Sequence, residues 1–472
     1  MADDGSPRIA VIGGGISGLA AAYHLRDLIP GARVTVLEGT GQVGGKLRVS
    51  DVAGVPVDEG AEAMLNRRPE AVELTRAVGL GDDLTHPDTT SSAVWTRGAV
   101  RPLPPTLMGI PTDLTALARS GIVSRAGLVR ARLDRVLPAT KVGADIAAGR
   151  LVSRRLGSEI NDRLLEPLLG GVYAGHARAL SLRAAVPQIA ALLERGPSLL
   201  AAASQARAES AGTDVPIFAG LRGGVGRLPA AVAAASRADV RTGTTVRELR
   251  RRDRGWRLIV GATRDEQALD VDAVVIATPT APASRLLKPH AAQTAARLAE
   301  IDYASVALVT FAFPRDKAGD AFTGSGFLVP PVDRRAVKAA TYSSNKWRWV
   351  AQADDSVVVV RTSLGRYGEE HELQRDDVDL AAVALADLRA ATGVVSAPVG
   401  TRVTRWGGGL PQYTVGHRER VAAIRAGVAG LRGIAVCGAA YDGLGIPACV
   451  ASARAAVTHL VDDLRQQGRI TV

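Results

Sequence analysis

The hydrophobic pattern at the start of the chain changes from a strand period to a helical period and back. Arg8 to Ile12 and Arg33 to Leu37 are short apolar runs typical of buried strands, and residues 16–29 between them repeat apolar side chains at helical spacing. A glycine-rich turn, residues 13–18, joins the first run to the helix. The pattern therefore predicts a β-α-β unit of a doubly wound domain.

The pattern differs farther along the chain. A hairpin-like segment around Arg97 is followed by helical stretches separated by glycine and proline, and strands resume after Gly220. We predict an α/β fold in which both chain ends build one Rossmann-type domain. Its predicted parts are residues 1–86, 216–280 and 406–472, with a mainly helical insertion carrying substrate-side contacts at 87–215 and a mixed-sheet substrate domain at 281–405.

The glycine turn has the spacing of a dinucleotide-binding site. Gly13 permits the tight turn, Gly15 lets a pyrophosphate approach the backbone, and Gly18 lets the helix pack closely on the strand. Glu38 ends the next strand, 20 residues after Gly18, where a carboxylate accepts hydrogen bonds from ribose hydroxyls. A glycine turn without a ligand is the alternative, and this strand-turn-helix context argues against it.

Two further segments place glycines next to a charged side chain or at the start of a predicted helix. Gly44 and Gly45 precede Lys46, whose cation would neutralise a negative charge on a bound cofactor. Gly445, Ile446 and Pro447 begin the last predicted helix, and proline suits a first helical turn. The partial positive charge of that helix start would stabilise negative charge on a cofactor. An ordinary loop lysine and a plain proline-started helix are the alternatives.

These segments resemble the flavin amine oxidoreductase superfamily, and longer strings resemble its bacterial coproporphyrinogen and protoporphyrinogen oxidases. The strings are residues 57–65, Leu-Leu-Glu-Pro-Leu-Leu-Gly-Gly-Val-Tyr-Ala-Gly at 164–175, Pro-Gln-Tyr-x-x-Gly-His at 411–417, and residues 443–447. Two places depart from the family pattern. Gly60-Ala61-Glu62-Ala63-Met64 stands where Gly-Pro-Glu-Ser-Phe is usual, and His176 stands where an acidic residue is usual.

The resemblance implies non-covalently bound FAD and a flavin-centred reaction without a catalytic side chain. The cofactor contacts that it implies are Gly13, Gly14, Gly15, Ile16, Ser17, Gly18, Glu38, Gly39, Gly45, Lys46, Gly60, Ala61, Glu62, Ala63, Val246, Trp406, Gly445, Ile446 and Pro447. Arg67 and Arg68 are predicted to hold substrate propionates, and Tyr173 to contact substrate. Solvated surface arginines are the alternative for the first two.

Composition and charge exclude several classes of protein. The formal net charge is +11, but the arginines are dispersed and no nucleic-acid-reading motif is present. Two cysteines and seven histidines without ligand spacing predict neither a disulfide scaffold nor a metal site. The start of the chain lacks the pattern of a signal peptide, and no apolar run could span a membrane. A cytoplasmic protein is therefore predicted.

The resemblance implies oxidation of a tetrapyrrole with propionates, coproporphyrinogen III to coproporphyrin III in haem biosynthesis, with O₂ as acceptor and H₂O₂ as product. The positive net charge favours this substrate over the less anionic protoporphyrinogen IX. Protoporphyrinogen IX, an amine or a carotenoid stay open as substrates, as does a flavin and tetrapyrrole carrier without turnover. A downstream ferrochelatase and peripheral contact with a membrane stay open as further partners.

Overall fold

The computed structural model describes residues 6–209 and 215–470. Its strands are β1 Arg8–Ile12, β2 Arg33–Leu37, β3 Val49–Val52, β4 Val55–Asp58, β5 Met64–Leu65, β6 Leu84–Thr85, β7 Ser92–Thr96, β8 Ala99–Pro102, β9 Thr106–Leu107, β10 Ile110–Pro111, β11 Phe218–Leu221, β12 Asp239–Arg241, β13 Val246–Arg251, β14 Trp256–Val260, β15 Gln267–Val271, β16 Ala273–Ile276, β17 Tyr303–Pro314, β18 Gly326–Leu328, β19 Val337–Tyr342, β20 Val357–Leu364, β21 Gly400–Pro411 and β22 Ile434–Val436.

The helices alternate with these strands and are concentrated between β10 and β11. They are α1 Ile16–Leu28, α2 Pro69–Ala77, α3 Leu114–Ser120, α4 Arg125–Arg132, α5 Ala148–Leu156, α6 Ser158–Ile160, α7 Glu166–Tyr173, α8 Leu182–Ala185, α9 Pro187–Leu192, α10 Leu199–Glu209, α11 Leu228–Ser236, α12 Thr280–Leu287, α13 Ala292–Ala299, α14 Arg315–Ala318, α15 Ser343–Lys346, α16 Arg348–Ala353, α17 Asp377–Thr392, α18 His417–Ala429 and α19 Ile446–Gln466. A π-helical turn, Asn161–Leu165, leads into α7.

A parallel sheet of five strands, in the order β12-β2-β1-β16-β22, forms the dinucleotide-type domain. Its central strands β1 and β16 are almost entirely buried, as expected for a parallel sheet covered on both faces. Helix α1 from the start of the chain packs against α19 from the end, and their apolar faces share one core. Both chain ends therefore build this domain.

A second, mixed sheet of seven strands has the order β21-β17-β20-β19-β18-β7-β8. Its long central strands β17 and β20 pair antiparallel, with Leu308 opposite Ser363 and Thr310 opposite Arg361. One face packs on α17, and the other turns towards the dinucleotide-type domain. The hairpin β7–β8, which lies in the segment predicted as a helical insertion, pairs with the edge of this sheet.

The helices between β10 and β11 have their own apolar core. A buried ion pair links several of these helices. Arg155 on α5 is 2% exposed, and its Nε donates to Asp134 Oδ1 at 2.6 Å. The other Asp134 oxygen accepts from Ser198 Oγ, just before α10, and from the Leu200 amide in the first turn of α10. This cluster joins α4, α5 and α10 into one unit.

The predicted α/β class with a Rossmann-type sheet, a mixed sheet and a helical part is confirmed. The division into five segments stays a prediction. In the part of the chain that the structure describes, no helix combines the length and apolarity needed to cross a bilayer.

Candidate active site

A cavity of about 520 Å³ lies between the two sheets. The parallel sheet contributes the loops after β1 and β16, and the mixed sheet contributes side chains of β17, β19, β20 and β21. Val172 on α7 also lines the cavity and is 47% exposed, so the cavity reaches the surface beside α7. Loops at the carboxyl ends of parallel strands are the usual position for a dinucleotide, which places the predicted cofactor here.

The start of α1 opens into this cavity through Gly15, Ile16 and Ser17. No side chain caps the helix, so amides of its first turn are free to bind an anion. Glu38 stands beside the turn, where Oε2 accepts from the Gly14 amide at 2.7 Å and Oε1 accepts from the Thr40 amide at 2.8 Å. The carboxylate is therefore held at the glycine turn, as its predicted role requires.

The other predicted residues of the turn pack rather than face the cavity. A Cβ at Gly18 would lie 1.9 Å from Gly13 O, and a Cβ at Gly13 would lie 2.8 Å from Ala277 O. Gly13 has a φ of +107°, which an L side chain rarely adopts. Close backbone contacts within the protein therefore leave no room for a side chain at Gly13 or Gly18.

The loop after β2 forms a second wall of the cavity. Gly44, Gly45 and Lys46 line it, and Gly44 and Gly45 both have positive φ. Gly60 packs against this loop so tightly that a Cβ there would lie 1.8 Å from Lys46 O. Burial lowers the pKa of Lys46. A negative charge bound near Lys46 would therefore stabilise the charged form of its side chain.

Trp406 lines the cavity from β21, where Gly409 lies near both Trp406 and the Lys46 side chain. Its indole N–H donates to the Glu59 carbonyl at 2.6 Å, and the fully buried Glu59 carboxylate accepts from Ser50 Oγ at 2.5 Å and from Thr404 Oγ1. These bonds fix the indole against the segment that also carries Gly60 and Ala61. A planar cofactor would therefore meet a rigid wall.

The start of α19 completes the cavity with Gly445, Ile446 and Cys449. No side chain caps this helix either, and Pro447 stands in its first turn. Two uncapped helix starts, those of α1 and α19, thus converge on one cavity and favour a ligand with negative charge at two places. Burial raises the pKa of the Cys449 thiol, which keeps it protonated.

Several predicted contacts lie away from the lining. Gly39 lies beside Thr245, and Val246 is buried at the start of β13, near Glu38 and Thr40. Tyr173 is buried, and its hydroxyl donates to the Ala185 carbonyl at 3.2 Å. Arg67 is exposed, and Arg68 pairs with Glu70 at 2.6 Å, so neither lines the cavity.

Glu62 is held in an ion-pair network next to the cavity. Its carboxylate contacts Lys346 at 2.5 Å and Arg361 at 3.0 Å. Burial raises the pKa of Glu62, but the two cations outweigh burial and bring it to about 2. Glu62 therefore stays ionised, while its neighbours Ala61 and Ala63 line the cavity.

Two cations that sequence reasoning missed also line the cavity, Arg361 on β20 and Lys338 on β19. Neither lies in a motif, and only the pairing of the strands brings them to the site. Among the described lining residues, Lys46, Lys338 and Arg361 are charged and none is acidic. In the same part of the chain, no group of histidine, cysteine or acidic side chains is placed to hold a metal ion.

Comparison with known proteins places this fold and site in a family. The model of the flavin containing amine oxidoreductases matches residues 16–461, and the chain belongs to this family. The family is one of flavin-containing oxidoreductases. The resemblance drawn from the sequence strings is confirmed.

Relatives narrow the comparison further. Coproporphyrinogen III oxidase of Mycobacterium tuberculosis is 38% identical over 463 residues, covering 97% of this chain and 98% of the relative. Coproporphyrinogen III oxidase of Bacillus subtilis is 30% identical, covering 96% and 98%. A solved structure from Exiguobacterium, whose name assigns it as a protoporphyrinogen oxidase, matches with a TM-score of 0.87 at 29% identity, covering 97% of this chain and 99% of that chain.

Proposed function

We propose that the protein is an FAD-dependent, oxygen-dependent coproporphyrinogen III oxidase that forms coproporphyrin III in haem biosynthesis. The observation that carries this proposal is the charge of the cavity, which has three lining cations and no lining acid among the described residues. A cavity of this charge favours a substrate with several carboxylates and repels a protonated amine. The names of the relatives over nearly the full chain support the same substrate.

The residues of the cavity fit FAD as the form of flavin. The α1 start would receive the pyrophosphate, Glu38 the adenosine ribose, and the α19 start with Lys46 the negative charge of the reduced ring. Cys449 is the one cysteine among the described lining residues, and its protonated thiol is a poor nucleophile. These features support non-covalent binding.

A bound flavin supplies the acceptor for hydride, and the protein supplies position. The substrate face of the cavity has small and apolar side chains in register, with Leu308, Ser363 and Ala339 side by side across three strands. No described lining residue is a histidine, aspartate or glutamate. Because a porphyrinogen is electron-rich, orientation of its bridging carbons is the main task of the protein.

Anaerobic mixing of the yellow protein with coproporphyrinogen III tests the proposal. We expect the flavin absorbance to bleach, and we expect O₂ to restore it with release of peroxide, three molecules for each coproporphyrin III. A benzylamine control should leave the flavin oxidised. Bleaching by the amine alone would contradict the proposal, and tetrapyrrole binding without bleaching would indicate a carrier.

The preference between two tetrapyrroles should depend on salt. Coproporphyrinogen III has four propionates and protoporphyrinogen IX has two, so the positive cavity should give the former a higher kcat/KM. The part of the difference that comes from long-range steering by the net charge of +11 should shrink at high ionic strength, because exposed charges are screened. Steady-state rates with both substrates at low and high salt check this expectation. A preference for protoporphyrinogen IX under both conditions would reassign the substrate.

Lys46 should set the potential of the flavin. Replacing Lys46 by methionine removes a half-buried cation from the cavity and should lower the midpoint potential by roughly 30–60 mV, about 1.4–2.8 kcal/mol for two electrons. Lys317→Met is a matched control, because Lys317 is exposed on α14 and the change in net charge is the same. An unchanged potential in a K46M protein that still holds flavin would remove this role from Lys46.

A further inference from the structure

Lys338 is a buried lysine without a partner. It is 3% exposed, and no described residue forms an ion pair or hydrogen bond with its ammonium. Long lysine side chains are almost never buried in this way unless they are paired. Because Lys338 lines the cavity, its ammonium has the cavity itself as the place where a partner could bind.

A β-bulge in β19 turns the Lys338 side chain towards the cavity. Val337 pairs with Leu364 and Ala339 with Ser363, so β19 has one extra residue at Lys338. Val337, Ala340 and Tyr342 pack in the core on the opposite face of the sheet, whereas Ala339 lines the cavity. In a regular strand Lys338 would share the face of Ala340 and Tyr342. The bulge instead brings Lys338 to the face of Ala339.

The other two cations of the cavity are already accounted for. Arg361 forms an ion pair with Glu62 at 3.0 Å, and Lys46 lies beside Gly45 on the loop after β2, where the cofactor is proposed to bind. Arg366, packed near Lys338, is itself a cation and adds to the positive charge there. Burial and Arg366 lower the pKa of Lys338 to about 7, and an anion beside the ammonium would reverse this shift.

Lys338 lies on a strand that is not adjacent to β17 or β21. β19 is two strands away from β17 and three from β21, which carries Trp406, so the backbone at Lys338 lies about 10–14 Å across the sheet from those two strands. Helix α7, whose Val172 marks the opening of the cavity, packs on β19. Lys338 thus stands at the substrate end of the cavity.

We propose that Lys338 is a specificity-determining residue that anchors one carboxylate of an anionic substrate at the end of the cavity remote from the flavin. This inference rests on the proposed function for the identity of the substrate, a tetrapyrrole with propionate side chains. A buried ammonium without a competing carboxylate binds a propionate directly, and a ligand without that carboxylate leaves the cation unpaired.

Equilibrium binding of the oxidised product tests the anchor without relying on turnover. Coproporphyrin III and its tetramethyl ester are titrated into the flavin-loaded wild type, Lys338→Met, Lys338→Arg and the exposed control Lys317→Met, and bound porphyrin is followed by its absorbance. We expect K338M to raise the Kd of the free acid by about 10- to 100-fold. K338R should recover most of the affinity, and K317M should match the wild type. The ester should bind the wild type and K338M equally.

Equal Kd values of wild type and K338M for the free acid would overturn the anchor while leaving the proposed function intact. A loss in K338M that is the same for acid and ester would also overturn it, because the residue would then act through packing. If the wild type binds neither porphyrin, the proposed function fails and the anchor fails with it. Flavin content and circular dichroism of K338M confirm that it is folded.

Discussion

Replacing Gly15 by alanine is expected to give a folded protein that has lost most of its affinity for FAD. Gly15 precedes α1 with φ −70° and ψ 174°, a conformation that alanine adopts without strain. A Cβ at this position meets no atom within 4 Å, and Gly15 lines the cavity. The methyl group would thus stand where the pyrophosphate approaches the backbone, and FAD binding should weaken by about 10- to 100-fold.

Gly18→Ala is the matched comparison, because the same methyl group there has no room at all. Its Cβ would lie 1.9 Å from Gly13 O, and Gly13 is itself held against Ala277. This variant should lose about 3 kcal/mol of folding stability or more, before any cofactor is added. Thermal unfolding of both apoproteins and FAD titration by fluorescence quenching separate the two effects. A G15A protein that unfolds as G18A does, or that binds FAD as the wild type does, would contradict the assignment.

Replacing Arg155 by methionine should destabilise the helical region by about 3–5 kcal/mol, because it leaves the Asp134 carboxylate buried without its cation. The guanidinium also donates to the Asp134, Pro138 and Pro197 carbonyls, which would all lose their common partner. Arg195→Met is the control, since its pair with Glu209 is exposed and should contribute at most about 1 kcal/mol. The midpoint of urea unfolding measures both, and equal midpoints would show that burial of the pair has no energetic consequence.

The parts of the molecule that sequence could predict are those whose geometry is set within about 30 residues. The glycine turn, Glu38 and the strands on either side of α1 follow from hydrophobic period and glycine spacing, because each contact lies close along the chain. The α19 start was recognisable for the same reason, through Pro447 and the preceding glycines. Local chemistry therefore predicts the glycine turn, Glu38 and the start of α19, whereas Gly60, Val246 and Trp406 are indicated only by the family resemblance.

The substrate half of the cavity depends on strand pairing, which no local sequence pattern predicts. Lys338 and Arg361 lie in different strands, and Lys338 reaches the cavity through a bulge that alternation of polar and apolar positions does not reveal. Arg67 and Arg68 follow the Gly60 segment in sequence, yet they lie outside the lining. Proximity in sequence was a poor guide wherever the site is assembled across a sheet.

The packing of α1 on α19 has a consequence for how the protein is made. These helices share a core although about 400 residues separate them. During synthesis the face of α1 that packs on α19 therefore stays uncovered until α19 has been made. At 5–20 residues per second the delay is roughly 20–80 s. Until then the nascent chain exposes that face to chaperones and to other nascent chains. The cavity, which is lined by the starts of both helices, is therefore complete only after α19 has been synthesised.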